Sequence, residues 1–133
     1  MDKKSIKKQV KATLNNYNQI KLVFIFGSFT DKGFNENSDI DIAIASRKKI
    51  KYKLLLEIQN KLTKKIEREV DLLDFKKLNG LILKQILTKG ELLINKDSSL
   101  YADIIKKMID FQEDIFCNIK NIYKNRIERF ING

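Results

Sequence analysis

The chain has 133 residues, 43% of them hydrophobic, with no histidine, no proline, one cysteine and a formal net charge of +10. A domain of this length buries roughly two thirds of its unfolded surface and needs no staples; one cysteine excludes a disulfide framework or multi-cysteine zinc site, and the lack of histidine excludes Ser-His-Asp and Cys-His machinery. Of the 27 basic residues 23 are lysine and four arginine, whereas base and phosphate recognition leans on the guanidinium fork, so direct nucleic-acid binding is not expected and the charge at most attracts an anionic substrate or partner.

The opening MDKKSIKKQVKATL is basic but leads into no uninterrupted apolar run, and no segment approaches the ~18 apolar residues of a membrane span, so a soluble, cytoplasmic protein is expected. Ile6, Val10, Leu14 and Tyr17 recur at helical spacing, which predicts an amphipathic helix over Ser5 to Tyr17 with a solvated lysine face. KLVFIF, Lys21 to Phe26, reads as a strand stopped by Gly27. Asp39 to Ala45 reads as a second strand with Ile40, Ile42 and Ile44 on one face and Asp39 and Asp41 on the other. A helix over Ile50 to Glu67 and a strand over Glu69 to Phe75 follow. Asn79 to Lys89 reads as a helix with Gly90 as a left-handed C-cap, and Glu91 to Asn95 as a fourth strand.

Ser98 and Ser99 are the candidate caps of a long last helix running to about Ile131. Its apolar residues, Ile104, Ile105, Met108, Phe111, Ile115, Phe116, Ile119, Ile122, Tyr123, Ile127 and Phe130, exceed one stripe, which leaves a surface for a partner or for self-association; Cys117 reads as a small buried hydrophobe. With no repeat or linker, one domain spanning 1–133 is expected: an α/β fold with a small mixed β-sheet flanked by helices.

Without histidine, catalysis must run on carboxylates, hydroxyls, lysines and a hard metal. Asp39 and Asp41 share a strand face about 6–7 Å apart, can converge on one divalent cation, and as oxygen ligands suit Mg²⁺ shared with substrate phosphates. Gly27-Ser28, at the end of the preceding strand, offers close backbone approach and a hydroxyl to a phosphate.

Gly27-Ser28, ten intervening residues and then Asp39-Ile40-Asp41 preceded by Ser38 resemble the Gly-Ser…Ser-Asp-x-Asp signature of the polymerase-β-like nucleotidyltransferases. The length and layout resemble the minimal nucleotidyltransferases (MNT), antitoxins of HEPN/MNT toxin-antitoxin pairs. The resemblance implies that fold, with a third carboxylate at Asp71 in preference to Asp74, which alternation turns to the opposite face and which reads as a solvated or strand-end residue. It implies Asp39, Asp41 and Asp71 as catalytic residues and ligands of two Mg²⁺ ions. Gly27, Ser28, Lys32 and Ser38 would be the nucleotide-binding residues, Lys32 as a point charge where family members commonly have an arginine. The implied reaction is transfer of AMP from ATP to a tyrosine of a HEPN RNase toxin, which silences it. Two alternatives stay open: transfer to a small-molecule hydroxyl, and an inert antitoxin that acts by occlusion.

Overall fold

The computed structural model describes the backbone of residues 1–132 and the side chains of these except 115–119, 122–123 and 126–132. Four strands form a sheet of order β3-β2-β1-β4: β1 (Leu22–Phe26), β2 (Ile40–Ala45), β3 (Val70–Asp74) and β4 (Glu91–Asn95). β1 pairs antiparallel with β2 and with β4, while β2 pairs parallel with β3, so the sheet is mixed as expected. The parallel pair is joined by the crossover helix α2 (Tyr52–Ile66), as parallel strands require.

Both faces of the sheet are covered, which is why its central strands are apolar but for Asp41 at the end of β2. On one side α1 (Lys3–Leu14) and α2 supply Ile6, Val10, Leu14, Ile58, Leu62 and Ile66 against Val23, Ile25, Ile40, Ile42, Ile44, Val70 and Leu72. On the other, α3 (Gly80–Lys89) and α4 (Ser98–Asn132) supply Leu83, Ile86 and Leu100 against Leu22, Phe24, Ala43 and Ala45. Ile40, Ile42 and Ile44 are each 0% exposed. At about 1.5–3 kcal/mol per buried side chain, they are ample to hold a strand that also carries acids.

The helix ends depart from the sequence-based limits for local reasons. Asp2 caps α1 by accepting from the Ser5 N–H at 2.8 Å, so the helix starts at Lys3, and Tyr17 falls in the turn beyond its end. The lysine face of α1 is only partly solvated: Lys7 pairs with Glu91 at 2.9 Å, and Lys3 lies 5.3 Å from the Phe29 ring centre. α2 is closed by Glu67 in the left-handed region (φ 58°, ψ 38°), whereas Gly90 is extended (φ −75°, ψ 165°) and is not the left-handed cap expected of it. Gly90 is needed for room instead, since a Cβ there would run into the Ile86 carbonyl oxygen. α3 is capped by Asn79, whose side chain accepts from Ile82 N–H at 3.1 Å.

The cap of α4 is neither serine. Asp97 accepts from the Leu100 N–H at 3.0 Å while Arg47 grips the same carboxylate at 2.6 and 3.1 Å, so Ser98 becomes the first helical residue. Ile104, Met108 and Phe111 of α4 turn inward. Ile104 and Met108 pack on the sheet cluster, and Phe111 covers Gly80 so closely that a Cβ there would overlap its ring. The side chains of Ile115, Phe116, Cys117, Ile119, Ile122, Tyr123, Ile127 and Phe130 lie outside the described residues. Among the described residues no helix is long and apolar enough to cross a membrane.

Two tests follow from these contacts. Gly80→Ala should lose about 1–3 kcal/mol of stability through overpacking, and adding Phe111→Leu should recover part of it in a denaturant titration. Arg47, then the Leu100 N–H, hold the Asp97 carboxyl down at about 2, below its ordinary 3.8. A depressed carboxylate adds stability above pH 3.8 that is lost as pH falls through about 2. Asp97→Ala should therefore lower the thermal midpoint at pH 7, and the gap from the unchanged chain should close near pH 2.

Candidate active site

At one end of the sheet Phe26, Asp41 and Asp71 stand in a row across β1, β2 and β3. The parallel register that aligns Ile40 with Val70 and Ile42 with Leu72 in the core necessarily aligns Asp41 with Asp71 on the opposite face. Apolar burial thus sets two carboxylates side by side. Burial first, then the nearby charges of Asp71 and Asp39, and finally a side-chain hydrogen bond with Asp71 raise Asp41 above the usual carboxylate range. Asp71 is exposed and Asp41 half-buried.

Asp39 lies just outside β2, exposed, and acts on Asp41 more weakly than Asp71 does. Among the described residues no three acidic side chains close into a ready-made metal cage. An all-oxygen donor set whose charges already repel, open on one side, nevertheless suits a divalent cation that takes its other ligands from phosphate and water. Of the two readings offered for Asp74, solvated or strand-end, the second holds. Asp74 is 7% exposed, and at the far end of β3 its side chain accepts from the Lys76 N–H at 3.0 Å, starting a 3₁₀ turn over Phe75–Lys77.

Gly27 begins a 3₁₀ turn over Gly27–Thr30 with φ 69°, and a Cβ there would overlap the Asp41 carboxylate. It is glycine for two reasons, the left-handed backbone and the space the carboxylate occupies. Thr30 locks the turn by donating to the Gly27 carbonyl at 2.9 Å. The Ser28 hydroxyl, half-buried, donates to the Asp39 carbonyl at 3.3 Å, so the turn and the first aspartate are tied together.

The other expected nucleotide contacts fall less close. The Ser38 hydroxyl accepts from the Asn35 N–H at 3.1 Å and belongs to a loop turn, and Lys32 is exposed in the bend after the 3₁₀ turn. Arg68, which sequence reasoning passed over, holds that loop: its Nη1 donates to the carbonyls of Asn35 at 2.9 Å and Ser38 at 3.2 Å. Nothing in the residues around it, two glutamates beside a helix end, signals a backbone partner some thirty positions away.

A family model described as polymerase beta, nucleotidyltransferase, matches residues 8–99. The protein adenylyltransferase MntA of Shewanella oneidensis is 29% identical over 97 residues, 71% of this chain and 70% of that protein. Among solved structures, a chain of a toxin-antitoxin crystallised with AMP-PNP superposes with a TM-score of 0.73 at 22% identity, covering 91% of this chain and 98% of its own. A chain of the tri-AMPylated HEPN toxin of Shewanella oneidensis in complex with MNT antitoxin gives a TM-score of 0.71 at 20% identity, over 95% and 99%. These similarities establish the polymerase-beta-like nucleotidyltransferase fold that the Gly-Ser…Ser-Asp-x-Asp resemblance implies.

An acid whose folded pKa is raised contributes stability that is present below 3.8 and lost as pH rises through its folded value. Asp41→Asn should accordingly raise the thermal midpoint at pH 7, and the gain should vanish in acid. Gly27→Ala should do the opposite at any pH, at about 1–3 kcal/mol, since its strained backbone does not titrate.

Proposed function

We propose a protein adenylyltransferase: the chain belongs to the polymerase beta nucleotidyltransferase family, and its reaction is transfer of AMP from ATP to a hydroxyl of a HEPN-type toxin protein, which that transfer neutralises. The observation that carries the reading is the contact of Asp41 with Asp71 across β2 and β3, beside a left-handed glycine that leaves room for a carboxylate. The similarity to a protein adenylyltransferase and to toxin-antitoxin chains supports the substrate and partner classes.

Asp39, Asp41 and Asp71 would hold two Mg²⁺ ions, which supply charge neutralisation and a lowered pKa for the attacking hydroxyl. Gly27 and Ser28, with Lys32 and Ser38 at the rim, would hold the β and γ phosphates so that the α-phosphorus faces the acceptor. A tyrosine oxygen of the partner then forms the new P–O bond, the bond to the β-phosphate oxygen breaks, and pyrophosphate leaves in line. Asp71, exposed beside its partner acid, would take the hydroxyl proton.

One observation favours a second reading, occlusion without transfer. Lys32 is exposed, and Arg68, which among the described residues is the guanidinium bonded to this loop, is spent on backbone carbonyls and not on an open phosphate site. Incubation with ATP labelled at the α-phosphate, Mg²⁺ and the HEPN protein encoded beside this chain separates the two. Label on the partner's tyrosine supports transfer. A tight complex that stays unlabelled supports occlusion, and label on a small acceptor alone supports neither. Asp39→Ala, Asp41→Ala and Asp71→Ala should each lower the labelling rate by about 10²–10³-fold, the effect of several kcal/mol of lost transition-state stabilisation, and a chelator should abolish it.

A further inference from the structure

Asp39 is the one acid of the cluster that the sheet does not hold. β2 begins at Ile40, whose N–H bonds to the Glu69 carbonyl at 3.0 Å, so the strand ladder fixes the chain from Ile40 onward and leaves Asp39 on its doorstep, exposed. Its position rests on the peptide groups on either side of it. The carbonyl after its α-carbon, its own, accepts from Ser28 Oγ at 3.3 Å. The carbonyl before it, that of Ser38, accepts from Arg68 Nη1 at 3.2 Å.

Arg68 is bound on three sides to the same loop. Its Nη1 is shared between Ser38 and Asn35, and its guanidinium carbon lies 4.7 Å from the centre of the Phe34 ring. Phe34 packs on the α1–α2 core and edge-on to the buried Phe29 at 5.1 Å, with Lys3 of α1 at 5.3 Å from both rings. The Asn35 carbonyl also accepts from the Ser38 N–H at 3.1 Å, closing the turn from which Asp39 emerges. Both bonds leave one nitrogen, while the flat guanidinium, always charged, lies against the ring. Arg68 forms no ion pair among the described residues, although Glu67 and Glu69 flank it.

We propose that Arg68 is the positioning residue of the acidic cluster: by clamping the Asn35–Ser38 turn it sets the Asp39 carboxylate beside Asp41 and Asp71 without itself touching the nucleotide. The inference rests on the reading that this cluster holds the metal ions. A misplacement of about 1 Å in such a group is worth about 10²-fold in rate, so a clamp two bonds from the Asp39 α-carbon matters to the chemistry.

The test compares Arg68→Met, which keeps a stem over Phe34 and removes the donors, with Arg68→Lys, which keeps the charge and loses the fork. Mn²⁺ is titrated into the whole chain by electron paramagnetic resonance with non-hydrolysable ATP present, and transfer is followed as a function of Mg²⁺ and of ATP. Arg68→Met should weaken Mn²⁺ binding about tenfold and raise the Mg²⁺ concentration for half-maximal rate by about the same factor, with the KM for ATP within about twofold. Arg68→Lys should shift both by about threefold, and it carries the test should the methionine variant fail to fold. Unchanged Mn²⁺ affinity overturns the proposal, and so does a raised KM for ATP at unchanged Mg²⁺ dependence, which would make Arg68 a phosphate ligand. The Mn²⁺ titration needs no turnover: a chain that labels no partner refutes transfer, while the comparison of affinities still judges Arg68.

Discussion

The parallel pairing of β2 with β3 is the constraint on which the rest depends. It is made for apolar reasons: isoleucines of β2 meet valine and leucine of β3 above α1 and α2. Because side chains alternate, the same register forces Asp41 against Asp71 on the opposite face. A slip of one residue would turn the acids toward α1 and α2 and the isoleucines toward the opposite face. The chain therefore sustains an unfavourable juxtaposition of like charges by attaching it rigidly to a favourable burial.

The surrounding residues serve that pair. Gly27 combines a backbone that other residues rarely adopt with an empty space the Asp41 carboxylate fills. The segment from Gly27 to Asp39, which must reverse the chain between two antiparallel strands, is longer than a hairpin needs and is held by side chains: Thr30, Ser28, Ser38 and Arg68 all bond to its backbone. Rigidity there comes from hydrogen bonds and ring stacking, not from a ladder.

What could be read in advance divides along physical lines. Alternation in IDIAIA gives away β2 and the face of Asp41, because a period of two is local, whereas Asp39 falls just outside the strand expected to hold it and Asp71 is singled out by the family resemblance, alternation only setting it apart from Asp74. Helix ends were harder. Asp97, Ser98 and Ser99 can all cap, and the choice falls to Arg47, fifty positions away, which holds Asp97 in place. The left-handed residue was sought at Gly90, where the chain needs only a missing Cβ, and occurs at Glu67, whose side chain gives no sign of it. Asp74 reads as a solvated or strand-end acid; it is the strand end, and the neighbouring 3₁₀ turn, which supplies it with an N–H, is what buries it. Arg68 left no trace at all, because its partners are carbonyls, which every residue possesses.

The Arg47–Asp97 staple and the acidic cluster sit at opposite ends of β2, separated by six residues or about 20 Å of strand. The root of the long last helix is thus anchored where no reacting group lies. Drift in that helix therefore leaves the pairing of β2 with β3 untouched, and a change at Asp41 or Asp71 leaves the helix's root where it is: the two ends of one strand can vary independently.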